Sequence, residues 1–268
     1  MNIAVPGGTG TLGRAVVDEL VGRGHGVRVL SRRRPQQPQA GATHHEVDVA
    51  TGAGLRAALQ DVDAVVDATN ASGSGRKAAP VLVDGTHRLL DAEARQGVGH
   101  HVAISIVGID AVPLSYYRMK LAQERIVEGG PVPWSMVRAT QFHELLDWLF
   151  GMTARARIVP AMKVPLAPVD PRFVARVLAE AAEAGPGGRR APVAGPQTAA
   201  LGELARDWAR ARGRRVLPLS LPLSPRMGRP LRSGALVPGD GAITGGPSFG
   251  EWLRAKAQPR ASARASAA

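Results

Sequence analysis

The sequence predicts an α/β fold: a doubly wound parallel sheet covered by helices on both faces, followed by a smaller C-terminal region. Three observations carry this expectation. Short apolar runs alternate with longer amphipathic ones through the first half, the strand-then-helix rhythm that a parallel sheet requires. A glycine-rich turn joins the first apolar run to the first amphipathic one. Beyond Val137 the rhythm breaks, and Pro160, Pro165 and Pro168 follow.

Taken in order, strands are expected at residues 2–5, 27–31, 44–48, 64–68, 101–105 and 134–137, where short β-branched or apolar runs are bounded by turn residues. Helices are expected at 12–23, 54–59, 79–96 and 116–128. In the third of these, Val83, His87, Leu90 and Ala94 share one face, as a helix packed on a sheet requires. A further helix is expected near 142–154. Asp170-Pro171 reads as an N-cap followed by proline at the first helical position, opening a helix to about Ala184 that Gly185-Pro186-Gly187-Gly188 stops. A strand at 191–194 and a helix at 201–212 follow. Proline density from 217 to 238 predicts a loop that covers something. A short helix is expected at 249–253, before a tail. The expected division is therefore 1–150 as a nucleotide-binding domain to which 170–195 returns, 151–254 as a smaller cover region, and 255–268 as a disordered tail.

Composition excludes several functions. The chain has no cysteine, so disulfides, thiolate metal sites and thiol nucleophiles are ruled out. A net charge of +12 invites a nucleic-acid reading, but the arginines are dispersed and aromatics are only 4%, so no stacking platform is expected. The N-terminus has no signal-peptide pattern and no apolar run approaches a membrane span, which predicts a cytoplasmic protein without membrane or nucleic-acid partners. Adjacent histidines at 44–45 and 100–101 point to opposite faces of a strand, so no metal is expected there. Ser72-Gly73-Ser74-Gly75 lacks the spacing of a nucleophile elbow and reads as a flexible linker.

Gly7-Gly8-Thr9-Gly10-Thr11-Leu12-Gly13 is the most informative segment. Gly7 permits a tight turn, Gly10 lets a diphosphate approach the backbone, and Gly13 lets the helix pack closely on the strand. Amides at the helix start then face the anion. In this strand and helix context the motif reads as a dinucleotide-binding turn rather than a merely structural one. Where an acid would grip the ribose of NAD, the chain instead has Ser31, Arg32 and Arg33, whose guanidinium groups suit a 2′-phosphate, so NADP(H) is expected over NAD(H). Asp48, beside Val49 at the end of the third strand, reads equally as an acceptor for the adenine amino group or as a strand-end cap.

Ser105 ends the fifth strand, and Tyr116 and Lys120 follow at i and i+4 on one helix face. The expected chemistry is general acid/base transfer by Tyr116, with the Lys120 ammonium lowering its pKa and Ser105 holding the carbonyl oxygen. Tyr117 points about 100° away. Taken alone, Tyr-x-x-x-Lys arises often by chance, and a half-buried tyrosine beside a surface lysine is the commoner source. Trp148, Leu145 and Leu149 at helical spacing read as core or pocket wall.

These residues, with Ala103-Ile104-Ser105-Ile106-Val107-Gly108, Tyr116 to Glu124, Val137 to Phe142, Val237 to Gly241 and Phe249 to Leu253, resemble the NmrA-like branch of the atypical short-chain dehydrogenase/reductase superfamily. The resemblance covers nearly the whole chain. It implies a Rossmann domain with a small C-terminal substrate domain, and an active-site Ser, Tyr and Lys at Ser105, Tyr116 and Lys120. It implies that Ala68, Thr69 and Asn70 pass near the adenosine and the nicotinamide ribose, and that Thr140, Gln141 and Phe142 lie near the nicotinamide. Val107, Phe142, Leu145 and Leu146 are the expected substrate contacts. The expected function is an NADPH-dependent oxidoreductase acting on a small carbonyl or quinone-like molecule, as monomer or homodimer. Two alternatives stand beside it: a non-catalytic NAD(P) redox sensor with a protein partner, and a nucleotide-retaining isomerase or epimerase.

Overall fold

A computed structural model describes residues 1–71, 75–220 and 222–257. The first half alternates as expected through β1 (Asn2–Pro6), α1 (Thr11–Gly22), β2 (Gly26–Ser31), β3 (Ala42–Glu46), α2 (Leu55–Ala58) and β4 (Ala64–Asp67). It continues through α3 (Gly75–Leu82), α4 (Asp84–Gln96), β5 (His100–Ile106), α5 (Ser115–Glu128) and β6 (Trp134–Ala139). The second half holds α6 (His143–Ala154), β7 (Ile158–Pro160), β8 (Pro165–Leu166), α7 (Pro171–Ala184), β9 (Gly188–Arg189) and β10 (Val193–Ala194). It ends with β11 (Ala199–Ala200), α8 (Leu201–Ala211), β12 (Leu217–Leu219), α9 (Pro225–Arg232), β13 (Ile243–Thr244) and α10 (Phe249–Ala257).

The main sheet is parallel throughout and runs β13-β10-β6-β5-β4-β1-β2-β3, with β9 also pairing β6. Successive strands wind outward in opposite directions from β1 and β4. That reversal opens a crevice at the carboxyl ends of those strands, where open α/β sheets bind ligands. One face is sealed by Ile3, Val5, Val16, Leu20, Val174 and Leu178, under α1 and α7. The other is sealed by Leu30, Leu55, Leu59 and Leu89, and by Leu90, Val127 and Met136, under α2, α4 and α5. A second core gathers Leu146, Phe150, Leu166, Leu204, Trp208 and Phe249 around the two small sheets β11-β8 and β12-β7.

Several expectations need correction. The helix expected at 79–96 is two helices, broken at Val83, where Gly85 packs so tightly that a Cβ would stand 3.3 Å from Pro80 O and Val49 O. Its buried face is Thr86, Leu89, Leu90 and Glu93, while His87 and Ala94 are exposed. The face is rotated because Glu93 points inward to His101, and hydropathy alone assigns a glutamate to solvent. The third strand ends at Glu46, so Asp48 sits in the following turn. The strand expected at 191–194 shortens to Val193–Ala194. The loop expected at 217–238 contains β12 and α9, the latter started by Pro225 at its first turn. Arg254 and Lys256, read as tail, lie in α10; residues 258–268 and the Ser72-Gly73-Ser74 linker lie outside the described residues. Asp170 caps α7 as expected, its Oδ1 accepting from Arg172 N at 2.8 Å. Among the described residues no helix is long and apolar enough to cross a membrane.

Candidate cofactor and active site

The glycine turn is built by exclusion of side chains. Gly7 has φ +73°, and a Cβ there would stand 2.5 Å from Ala68 O; one on Gly13 would stand 2.1 Å from Gly7 O. The turn from β1 is therefore pressed against the end of β4 and against its own helix, and only glycine permits both contacts. Gly10 is the N-cap of α1, with no capping side chain and no acid in the first turn. Amides and dipole at that end are thus left for an anion.

A cavity of about 530 Å³ opens in front of this turn. Its lining includes Gly7, Thr9 and Gly10, then Ser31, Arg32 and Arg33 after β2, Asp48 and Val49 after β3, and Ala68, Thr69 and Asn70 after β4. All were expected from sequence to contact the dinucleotide. Leu30, Val47 and Val81 also line it and had no motif to mark them. Ser31 Oγ donates to Arg33 O at 2.8 Å and lies 2.8 Å from His44 Nε2, which holds the arginine loop at the rim. Asp48 Oδ1 accepts from Ala50 N at 3.0 Å, so this residue caps its turn while facing the cavity. Gly8, Leu12 and Gly13 stand behind the lining, while Thr11 is exposed at the start of α1; a Cβ on Gly8 would meet Val29 and Val5 at 2.9 Å, and Leu12 is core. A diphosphate fits this cradle because no Cβ fills it and no protein carboxylate neutralises its helix end.

Tyr116 and Lys120 do occupy one face of α5, but they do different things. Tyr116 Oη donates to Asn70 Oδ1 at 2.7 Å, which ties the phenol to the cavity wall. Lys120 is 4% exposed, and its Nζ donates to Ile104 O at 2.8 Å and to Gln123 Oε1 at 2.5 Å. The expected lowering of the tyrosine pKa does not occur here. Burial, with Tyr117 adding to it, pushes Tyr116 up to about 12. Burial pushes Lys120 down to about 8 against the opposing pull of Asp67 and Glu124. The ammonium is turned to the sheet and to Gln123 rather than to the phenol. Ser105 is buried beside the Glu124 carboxylate without a well-aligned hydrogen bond.

The remaining expected residues stand at the ends of β5 and β6 and do not line this cavity. Val107 continues β5, its amide donating to Ala139 O; Thr140 Oγ1 donates to Ala167 O at 2.5 Å. Gln141 is 8% exposed, and among the described residues both its amide atoms lack a partner. Phe142 is the N-cap of α6. Leu146 is packed inside the second core, so it forms structure rather than open wall. Leu145 and Trp148 are 49% and 61% exposed, so of the two readings given to them, core or pocket wall, the structure excludes the core. Sequence reasoning missed Asp67, Thr86 and Gln123, which surround Lys120 below the surface. One signal was present: Asp67 is an acid closing the otherwise apolar run Ala64-Val65-Val66, and a carboxylate so buried must find partners.

A family model described as NAD(P)H-binding matches residues 7–184. Against an uncharacterized protein of Mycobacterium tuberculosis the chain is 30% identical over 105 residues, 39% of this chain and 12% of that protein. Against the chloroplastic divinyl chlorophyllide a 8-vinyl-reductase of Cucumis sativus it is 26% identical over 166 residues, 54% of this chain and 40% of that one. The chain thus spans less than half the length of these curated relatives. Among solved structures, a UDP-glucose 4-epimerase of Thermotoga maritima with UDP-glucose aligns with TM-score 0.77 at 17% identity, over 96% of this chain and 97% of that one. A short-chain dehydrogenase/reductase superfamily protein of Agrobacterium tumefaciens with bound NAD aligns with TM-score 0.73 at 21% identity, over 96% of each chain. At such identities the structural likeness speaks for the fold. With the family match covering the glycine turn, the cavity walls and α5, the chain belongs to the family described as NAD(P)H-binding.

Proposed function

We propose that the protein is an NADPH-dependent oxidoreductase that reduces a small carbonyl or quinone-like substrate. One observation carries the reading: the phenol of Tyr116 donates to Asn70, and Asn70 belongs to the wall of the cavity in front of the glycine turn. When bound, NADPH supplies the hydride. The amides of Thr9, Thr11 and Leu12 hold the diphosphate, that of Gly10 already donating to Gly7 O, and Arg32 and Arg33 take the 2′-phosphate in forked bonds. Asp48 accepts from the adenine amino group. Tyr116 gives its proton to the carbonyl oxygen as carbon is reduced, and regains it from solvent. A phenol held near pKa 12 is fully protonated at neutral pH, which suits donation in the reductive direction. Lys120 and Ser105 support that oxygen and the ribose, and Thr140, Gln141 and Phe142 flank the nicotinamide. Phe142, Val107 and Leu145 contact the substrate.

The test is a fluorescence titration with NADPH and NADH, followed by reduction of a panel of aldehydes, ketones and ortho-quinones. NADPH is expected to bind more tightly. Tyr116→Phe is expected to lower kcat on a carbonyl acceptor by about 10²- to 10⁴-fold with NADPH affinity unchanged. Full carbonyl turnover in that variant would remove Tyr116 from the role. The structural likeness to epimerases favours a second reading, a nucleotide-retaining isomerase or epimerase. It predicts cofactor that stays with the protein through purification and no net oxidation with any acceptor.

A further inference from the structure

Below Tyr116, a line of buried polar groups runs from α5 to the end of β4. Lys120 Nζ donates to Gln123 Oε1, and Gln123 Nε2 donates in turn to Asp67 Oδ2 at 3.2 Å and lies 3.2 Å from Thr86 Oγ1. The other oxygen, Asp67 Oδ1, accepts from Thr69 N at 2.9 Å, and Thr69 lines the cofactor cavity. Asp67 is 2% exposed, and among the described residues no cation bonds it directly. A carboxylate at that depth is costly unless charge and hydrogen bonds compensate it. The nearest compensation in the hydrogen-bond line is the Lys120 ammonium, one amide away.

We propose that Asp67 is a positioning residue that acts through Gln123 to hold Lys120 in place as an ammonium, while its second oxygen fixes the Thr69–Asn70 wall. The inference rests on Lys120 belonging to the proposed reaction site. It gives the lysine and the cavity wall that receives Tyr116 one common anchor, so neither moves independently of the other. The amide of Gln123 is the link: its oxygen faces the cation and its nitrogen faces the anion, the one orientation that satisfies both.

The groups facing Lys120 define the expected pH behaviour. Asp67 approaches from β4 and Glu124 from the same helix, with Tyr116 one turn earlier and neutral Thr86 contributed by α4. Behind Asp67 stand His101 of β5 and Glu93 of α4, paired at 2.9 Å and fully buried. Burial lowers Lys120, and the charge of Asp67 opposes that. Removing the charge therefore lets the ammonium lose its proton at still lower pH.

The chain has four lysines, Lys77, Lys120, Lys163 and Lys256, so lysine labelled with ¹³C at Cε gives a readable spectrum. The Lys120 signal is assigned by its loss in Lys120→Met. Titration of the full chain without cofactor is expected to place the wild-type midpoint near 8. Asp67→Asn is expected to lower it by about one pH unit or more. Gln123→Leu is expected to move it the same way, and carries the test if Asp67→Asn does not fold by circular dichroism. Glu93→Gln, a buried carboxylate outside this line, is expected to leave it in place. A merely structural Asp67 would lower the melting temperature and leave the midpoint fixed. An unmoved midpoint in folded Asp67→Asn, or in Gln123→Leu where the first does not fold, overturns the proposal. NADPH titration of the same samples keeps the two readings apart, since wild-type protein that fails to bind it removes the cofactor reading without altering the lysine result.

Discussion

A side chain at Gly13 would put its Cβ 2.1 Å from Gly7 O, closer than any packing adjustment by a flexible neighbour can relieve, because the obstacle is backbone. Gly13→Ala is therefore expected to destabilise the protein by about 1–3 kcal/mol and to weaken NADPH binding at least tenfold, read by chemical denaturation and fluorescence titration. At this scale the sequence was most legible. The tight turn at Gly7 and the close packing at Gly13 follow from spacing and context, and the placement of Arg32, Arg33 and Asp48 at the cavity from their distance beyond it. The protonation of Tyr116 was not legible. Spacing places a lysine four residues away, but only the surrounding packing decides whether its ammonium faces the phenol or, as here, Ile104 O and Gln123.

Helix α5 is fixed to the sheet by charge as well as by packing. Arg138 of β6 reaches Glu124 at 2.6 Å and Asp110 at 2.5 Å, and Arg189 also meets Glu124. Burial alone would raise the Glu124 carboxyl, but the guanidinium bonds from Arg138 and Arg189 outweigh it and hold the group below its ordinary value of 4.5. A depressed carboxylate stabilises the fold fully above its unfolded pKa and loses that contribution as pH falls through the folded one. Arg138→Met is expected to cost about 3–5 kcal/mol at pH 7, because it leaves a buried charge without its main partner. The gap between variant and wild type, followed by urea denaturation, is expected to narrow as pH drops below about 4.5. Element existence was readable from hydropathy rhythm through the first half. The break at Val83 and the inward face carrying Glu93 were not, since both depend on a neighbouring turn and on His101, distant in sequence.

At the scale of the molecule, Asp147 on α6 ties together helices of the second core. It accepts from Trp208 Nε1 at 2.6 Å and Arg212 at 2.8 Å on the α8 side, and from Lys256 of α10 at 2.9 Å. Asp147→Ala is expected to lower stability by about 1–3 kcal/mol, seen as a lower Tm, with NADPH affinity unchanged within about threefold because no residue of the second core lines the cavity. This half was hard to read because strands such as β8, β10, β11 and β13 have two residues each, too short to carry a period. Their positions depend on partners rather than on their own pattern. The last of them has a mechanical effect. By pairing Ile243 with Val193 before the chain leaves again for α10, β13 brings the chain back to the edge of the main sheet. The helix that closes the second core is thus tethered at the sheet's rim immediately before it starts.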